Sequence, residues 1–320
     1  MFSLRHKSIP PTCQVLSIGG LGNQLFQLAA GLYFSGTKNL SFDYSAHQKG
    51  KEGSKDLSEY LLSSRVSLEN SFEFSFIQKK IVNLCIRMSS LVTQKKILNG
   101  LYLRIIVILQ ALLGWIYPGN WRVNLGIGFD ETQELGQSNY HIGYFQTYRY
   151  FAHPEVQKLM RRLALRDPSE SFIRHRCDLA NLDSLVVHVR LGDYRNELDF
   201  GIPSMRYFHD SIIELWNKNT FSRICLFSND ASAAMEYIPA FLKEYLWIPS
   251  DDLTSTTETL ELMRYGKAFV LSNSSFGWWA AVLSYVDAPS VICPSPWFQK
   301  KTDPVDLVPK EWSCKSPLDL

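Results

Sequence analysis

Four short stretches of this 320-residue chain hold residue types and spacings that could do chemistry. In residues 185–194, an apolar, β-branched run contains His188 and Arg190 and then breaks into a polar turn with Gly192, Asp193 and Tyr194. Residues two apart on a strand share a face, so His188 and Arg190 point the same way. An arginine at a strand end is a fixed cation whose fork of donors suits phosphate. The same arginine could instead pair with a nearby carboxylate for structure alone. In residues 19–27, Gly19, Gly20 and Gly22 precede Asn23 and Gln24 where a helix would begin. Glycines there let the backbone approach an anion, and two amides suit hydroxyl groups. In residues 272–281, Asn273 with Ser272, Ser274 and Ser275 opens another expected helix, offering hydroxyls and N–H groups at its positive end. In residues 227–230, Phe227-Ser228-Asn229-Asp230 reads first as an Asx turn or helix N-cap. Asp251 and Asp252 follow a strand and could accept hydrogen bonds from a base or ribose, or simply form a surface turn.

The elements that must position these residues alternate between strand and helix. A strand at 15–18, a helix at 23–34 and a strand at 40–43 open the chain, followed by a mostly helical region to about residue 117. A second series has strands at 185–190, 223–227, 246–248, 268–271 and 291–293, with helices near 204–217, 232–237, 256–265 and 275–283. Ser255 and Glu258 form a capping box and Gly266 a helix stop. Alternation of this kind implies an α/β fold with parallel sheets and crossover helices. The charged stretch at 153–181, broken by Asp167-Pro168, marks the boundary. The expected domains are therefore 1–165 and 166–320, facing a cleft suited to a two-substrate reaction.

Composition narrows the classes. The net charge is only +2, which gives no support to a nucleic-acid partner. Aromatics make up 13%, which suits flat apolar partners such as sugar rings or simply a large core. The six cysteines are scattered with no metal-ligand spacing, and no D-x-D triplet occurs, so no metal site is expected. No signal peptide is read at the start, and the cytoplasm is the expected location. Residues 79–117 stand apart: they carry Lys79, Lys80, Arg87, Lys95, Lys96 and Arg104, lack acidic residues, and end in an apolar run. That run is too short to span a bilayer. It reads either as a core helix with a basic flank or as a segment resting at the inner membrane surface.

Taken together, the motifs resemble glycosyltransferase family 11, the bacterial α-1,2-fucosyltransferases. Gly19 to Ala29 match its GG-x-GNQ-x-FQ-x-A pattern, and Gly143-Tyr144-Phe145-Gln146 match its Y-F-Q segment. His188, Arg190, Gly192, Asp193 and Tyr194 match H-x-R-R-G-D-Y, with Leu191 in place of the second arginine. Asn273 to Ala281 match N-S-S-F-x-W-W-x-A, and Pro294 to Phe298 the closing P-x-x-W-F. The resemblance implies a GT-B-type fold of two Rossmann-like domains, the first facing the acceptor and the second binding GDP-fucose. It implies that Arg190 neutralises the β-phosphate, that His188 with Asp251 or Asp252 holds guanosine, and that Ser274 and Ser275, next to Asn273, bind the diphosphate. Gly22 and Asn23 would serve phosphate and fucose. The reaction implied is an inverting transfer to the 2-hydroxyl of a galactose-terminated glycan, lipid-linked or free, without metal or other cofactor. Asp193 is the first candidate base, with Glu197 and Asp199 behind it; orienting Arg190 is its alternative role. Two other readings stay open. One is a nicotinamide-dependent oxidoreductase, with Gly20 and Gly22 in a partial G-x-G-x-x-G and Asp43 on the ribose. The other is a nucleotide- or glycan-binding relative without activity.

Overall fold

A computed structural model describes residues 13–45, 56–69, 76–90, 99–116, 120–124, 128–129, 140–195, 200–249, 255–299, 303–304 and 306–318. The chain divides into two compact units. The first runs to Ala164 and takes in Pro304–Leu307; the second holds Leu165–Asp303 and resumes at Val308. The return of Pro304–Leu307 to the first unit has a local cause. The carbonyl of Asp306 accepts hydrogen bonds from the Tyr148 N–H (2.7 Å) and the Thr147 hydroxyl (3.0 Å).

The first unit contains β1 (Cys13–Leu16), α1 (Leu21–Ser35), β2 (Leu40–Asp43), β3 (Tyr60–Leu61), β4 (Val66–Glu69), α2 (Phe76–Ser90), α3 (Asn99–Ile116), β5 (Trp121–Val123), β6 (Tyr140–Ile142), α4 (Tyr148–Phe151) and α5 (Pro154–Met160). Its main sheet is parallel, in the order β4-β2-β1-β6-β5. Every residue of β1 and β2 is buried, polar Gln14, Ser41 and Asp43 included, so both faces of these strands are covered. Helices α2 and α3 pack on β5 and β6 through Val82, Cys85, Leu109 and Leu113. No helix among the described residues is long and apolar enough to cross a membrane.

The short strand β7 (Ala164–Leu165) lies where the units divide. The second unit then contains α6 (Glu170–Ala180), β8 (Ser184–Val189), α7 (Met205–Lys218), β9 (Arg223–Ser228), α8 (Ala231–Ala234), β10 (Leu246–Trp247), α9 (Thr256–Met263), β11 (Ala268–Leu271), α10 (Ser275–Val282), β12 (Ser290–Pro294) and β13 (Ser313–Lys315). All six strands of its sheet are parallel, ordered β10-β9-β8-β11-β12-β13. Strand β8 is therefore central, and each of its residues is buried. Ser255 caps α9 as expected, accepting from the Glu258 N–H. The Glu258 carboxylate does not close the box, however; it accepts from the Ser169 N–H (2.6 Å) and hydroxyl (3.0 Å) at the start of α6.

Candidate functional site

The C-terminal ends of β8, β9 and β11 bring the second unit's polar residues together. In open α/β sheets this edge is where ligands bind. Arg190 follows β8 directly. Its Nε donates to Asp193 Oδ1 at 2.9 Å and its Nη2 to Oδ2 at 3.1 Å, a fork-to-fork pair that fixes the guanidinium plane. The Arg190 side chain remains 34% exposed, so the cation is aimed and still reachable. Its guanidinium also lies 5.8 Å from the ring centre of Tyr194, whose hydroxyl donates to the carbonyl of Asn273. Tyr194 in turn stacks on Phe200.

The turn carrying these groups is held from β9. Asn229 Oδ1 accepts from the N–H groups of both Leu191 (3.0 Å) and Gly192 (3.3 Å). A side chain at Gly192 would collide with the Asn229 amide, which is why glycine stands there. Asp230 caps α8 through the Ala233 N–H and pairs with Arg195 at 2.9 Å, so the N-cap reading of this segment holds. Asn229 has the larger role, and reading residues 227–230 as a plain turn missed it.

His188 lies one turn deeper and is 4% exposed. Its Nδ1 is 3.1 Å from the hydroxyl of Ser272, and Phe276 packs on its ring. Burial, and secondarily the Arg190 charge, lowers its imidazole to about 3, leaving it neutral. Helix α10 approaches this ring closely because residue 277 is glycine: a Cβ there would stand 2.6 Å from His188 Nδ1. At the helix start, Ser274 is the N-cap and accepts from the Phe276 N–H, while Ser275 is the first helical residue and half-buried. Asn273 is 3% exposed, and its Nδ2 donates to the carbonyls of Phe200, Gly201 and Trp297. It ties two loops to the site and has no amide hydrogen left for a ligand. Asp251, Asp252, Glu197 and Asp199 lie outside the described residues.

The first unit has its own polar turn. Gly19 has φ +76°, a left-handed conformation that favours glycine, and a Cβ on it would stand 2.5 Å from Asn23 Nδ2. Asn23 is half-buried and its Oδ1 accepts from Gln146 Nε2 at 2.6 Å. Gln27 is buried and pins the end of β1 by bonding both the N–H and carbonyl of Ile18, then reaches the carbonyl of Gly143. Gly22 is buried in the first turn of α1, and the exposed glycines of this turn are Gly19 and Gly20. Asp56, which no sequence pattern singled out, accepts from the N–H of Leu21 at the start of α1. Burial chiefly, then the Glu59 charge, raises its carboxyl to about 6 against that hydrogen bond. Asp43 corrects the oxidoreductase alternative. It is fully buried, and its oxygens accept from Gln14 Nε2 (3.0 Å) and the Ser45 N–H (2.7 Å), so it is not placed to hold a ribose.

The geometry thus defines an α/β protein with an oriented arginine and serine hydroxyls at the strand ends of a parallel sheet. Residues 12–314 match the family model for glycosyl transferase family 11, and the chain belongs to that family. It is 31% identical over 186 residues to an alpha-1,2-colitosyltransferase of Escherichia coli, covering 53% of this chain and 60% of the relative. It is 28% identical over 126 residues to the O-antigen biosynthesis glycosyltransferase WbnK of Escherichia coli, covering 38% of this chain and 41% of the relative. The matches therefore span less than two thirds of either relative's length. Among solved structures, the fucosyltransferase NodZ from Bradyrhizobium superposes with a TM-score of 0.49 at 14% identity, over 85% of this chain and 92% of that one.

Proposed function

We propose that the chain is an inverting, metal-independent α-1,2-fucosyltransferase that moves L-fucose from GDP-β-L-fucose to the 2-hydroxyl of a galactose in a surface polysaccharide or oligosaccharide. The observation that carries this reading is Arg190, clamped by both oxygens of Asp193 at the end of the central strand. Membership of family 11 and the α-1,2 linkage in the colitosyltransferase's name support it.

The acceptor oxygen attacks C1 from the face opposite the diphosphate, and the C1–O bond to the β-phosphate breaks. The β configuration becomes α, and the acceptor proton leaves to a base or to solvent. Charge develops on the departing diphosphate, where a fixed, pre-oriented cation is worth most. Arg190 supplies that charge, and Ser274 and Ser275 supply hydroxyls where α10 begins. Neutral His188 adds no positive charge of its own beside Arg190. Because both Asp193 oxygens accept from Arg190, Asp193 acts as the positioning residue for the guanidinium. In the first unit, Asn23, oriented by Gln146, offers its NH₂ to sugar hydroxyls. The absence of a D-x-D triplet from the sequence supports transfer without a metal ion.

The experiment is incubation with GDP-fucose and a panel of galactose-terminated acceptors, with products read by mass. Transfer that survives EDTA and disappears in a folded Arg190→Lys variant is expected. Strict dependence on Mg²⁺ or Mn²⁺ would refute the metal-independent mechanism, and an unimpaired Arg190→Lys would refute the role of the fork. A second donor belongs in the same assay. The colitosyltransferase relative favours colitose, the 3-deoxy counterpart of L-fucose, and transfer from GDP-colitose with none from GDP-fucose would replace the first reading.

A further inference from the structure

Among the described residues, helix α3 is apolar on two faces and one of them is covered. Leu109 and Leu113, 5% and 3% exposed, face the core formed with α2, β5 and β6. On the other side Val107 is 62% exposed, Ile108 58% and Leu112 40%. These residues recur at helical spacing and form one outward stripe, which Arg104 continues one turn before Ile108. A surface helix with a single buried face normally carries polar residues on the other. Helix α2 repeats the mixture: exposed Leu84 stands one turn from Lys80 and less than one turn from Arg87 on the same side.

The charge of this stretch of sequence has one sign. The 56 residues from 74 to 129 contain no Asp or Glu and seven Lys or Arg, although the whole chain nets only +2. An exposed aliphatic stripe on a segment whose only charged residues are cationic complements an anionic lipid surface. The apolar groups enter the acyl boundary while the long basic side chains reach the headgroups. A protein partner would need a matching acidic rim around an apolar centre, and a second copy of this face would bring like charges together. Helix α3 also cannot be a span, because its inner face is committed to the sheet. It would lie along the surface.

We propose that the exposed face of α3, with the basic positions of α2, is a docking surface for anionic phospholipid bilayers. The inference rests on this surface alone and is independent of which sugar donor the second unit takes.

The test uses the full chain with vesicles of phosphatidylcholine and vesicles containing about one third phosphatidylglycerol, read by flotation. Binding to the anionic vesicles with little to neutral ones is expected, weakening as salt is raised to about 0.5 M, where screening is strong. Ile108→Asp should lower partitioning roughly tenfold or more with an unchanged melting temperature, since the side chain contributes little to the core. Lys79→Gln with Lys80→Gln should lower binding to anionic vesicles only. Equal binding of wild type and Ile108→Asp would overturn the proposal. So would vesicle-independent dimerisation abolished by Ile108→Asp, which would assign the face to a second copy. Failure of GDP-fucose turnover would leave these vesicle results standing, so the two readings fail separately.

Discussion

The buried, neutral His188 should impose its own pH dependence on stability. An unfolded chain holds imidazole at its ordinary value of 6.5, whereas burial and the Arg190 charge lower it to about 3 in the fold. Between those values the unfolded chain binds a proton that the native protein does not, so stability falls as pH falls. The contribution is complete above about pH 6.5 and is lost progressively toward pH 3. Each pH unit within that window corresponds to about 1.4 kcal/mol, less near its upper end, so going from pH 6.5 to pH 4.5 removes roughly 2 kcal/mol. Carboxylates titrate over part of the same range, so the comparison is with His188→Gln, which keeps a polar group beside Ser272 but has no proton to gain. Guanidinium unfolding can be followed by fluorescence of Trp278 and Trp279, both fully buried in the adjoining helix. The variant should be less stable than wild type at about pH 8. Its deficit should then shrink by roughly 2 kcal/mol by pH 4.5. A deficit constant to within about 0.5 kcal/mol would show that His188 titrates alike in both states and would refute the buried, neutral assignment.

Other residues yield expectations of the same kind. Gly277→Ala places a methyl group 2.6 Å from His188 Nδ1 in a packed region, and chemical unfolding should show a loss of about 1–3 kcal/mol. Cys314 is exposed with its sulfur 3.6 Å from that of buried Cys293, and an S–H donated by Cys293 lowers the Cys314 thiol below its ordinary value. Its alkylation by iodoacetamide should reach half its maximal rate at a lower pH than that of an ordinary thiol, and Cys293→Ala should move that midpoint up; an unchanged midpoint would remove the sulfur–sulfur contact as the cause. Asp56 titrates in the opposite sense to His188. With its folded carboxyl raised to about 6, the native state keeps a proton that the unfolded chain has already lost, so stability falls as pH rises from about 4 to 6. Asp56→Asn should therefore stabilise the protein most above pH 6 and least near pH 4, which thermal melts across that range would show.

The second unit was far more legible than the first, and the reason is length and burial. Residues 185–189 read Leu-Val-Val-His-Val, 224–227 Ile-Cys-Leu-Phe and 268–271 Ala-Phe-Val-Leu, runs that only a strand covered on both faces explains. In the first unit β5 and β6 have three residues each and β4, Val-Ser-Leu-Glu, is half-exposed, so no periodicity distinguishes them from loop. At the site, residue type singled out Arg190 and Ser274 as candidates, but type could not reveal how a side chain's hydrogen bonds are divided. Asn273 spends its amide on three carbonyls of distant loops, and Asn229 spends its carbonyl on two neighbouring N–H groups. Both are contacts between segments far apart in sequence. The glycine turn is similar: the motif marks it, but the rotation of α1 decides that Gly19 and Gly20 face out and Gly22 does not.

The contacts around residue 191 show why this chain can depart from the family motif without losing the turn. Leu191 is 2% exposed and belongs to the core cluster of Tyr207, Phe208, Ile212 and the inner residues of β8. Leu191 continues the side of Leu185, Val187 and Val189 into that core, whereas Arg190 turns to Asp193. What the turn needs from residue 191 is its backbone N–H, which Asn229 Oδ1 accepts together with that of Gly192. Any residue other than proline supplies that N–H. The core beneath it is anchored independently, since the Tyr207 hydroxyl donates to the carbonyl of Leu271 at 2.7 Å and so ties α7 to the strand leading into Ser272. Leucine at this position thus trades a charge for packing on the side opposite Arg190. The orientation of Arg190 depends instead on Asp193 and on the Asn229–Gly192 contact, and those residues determine whether the fork stays aimed.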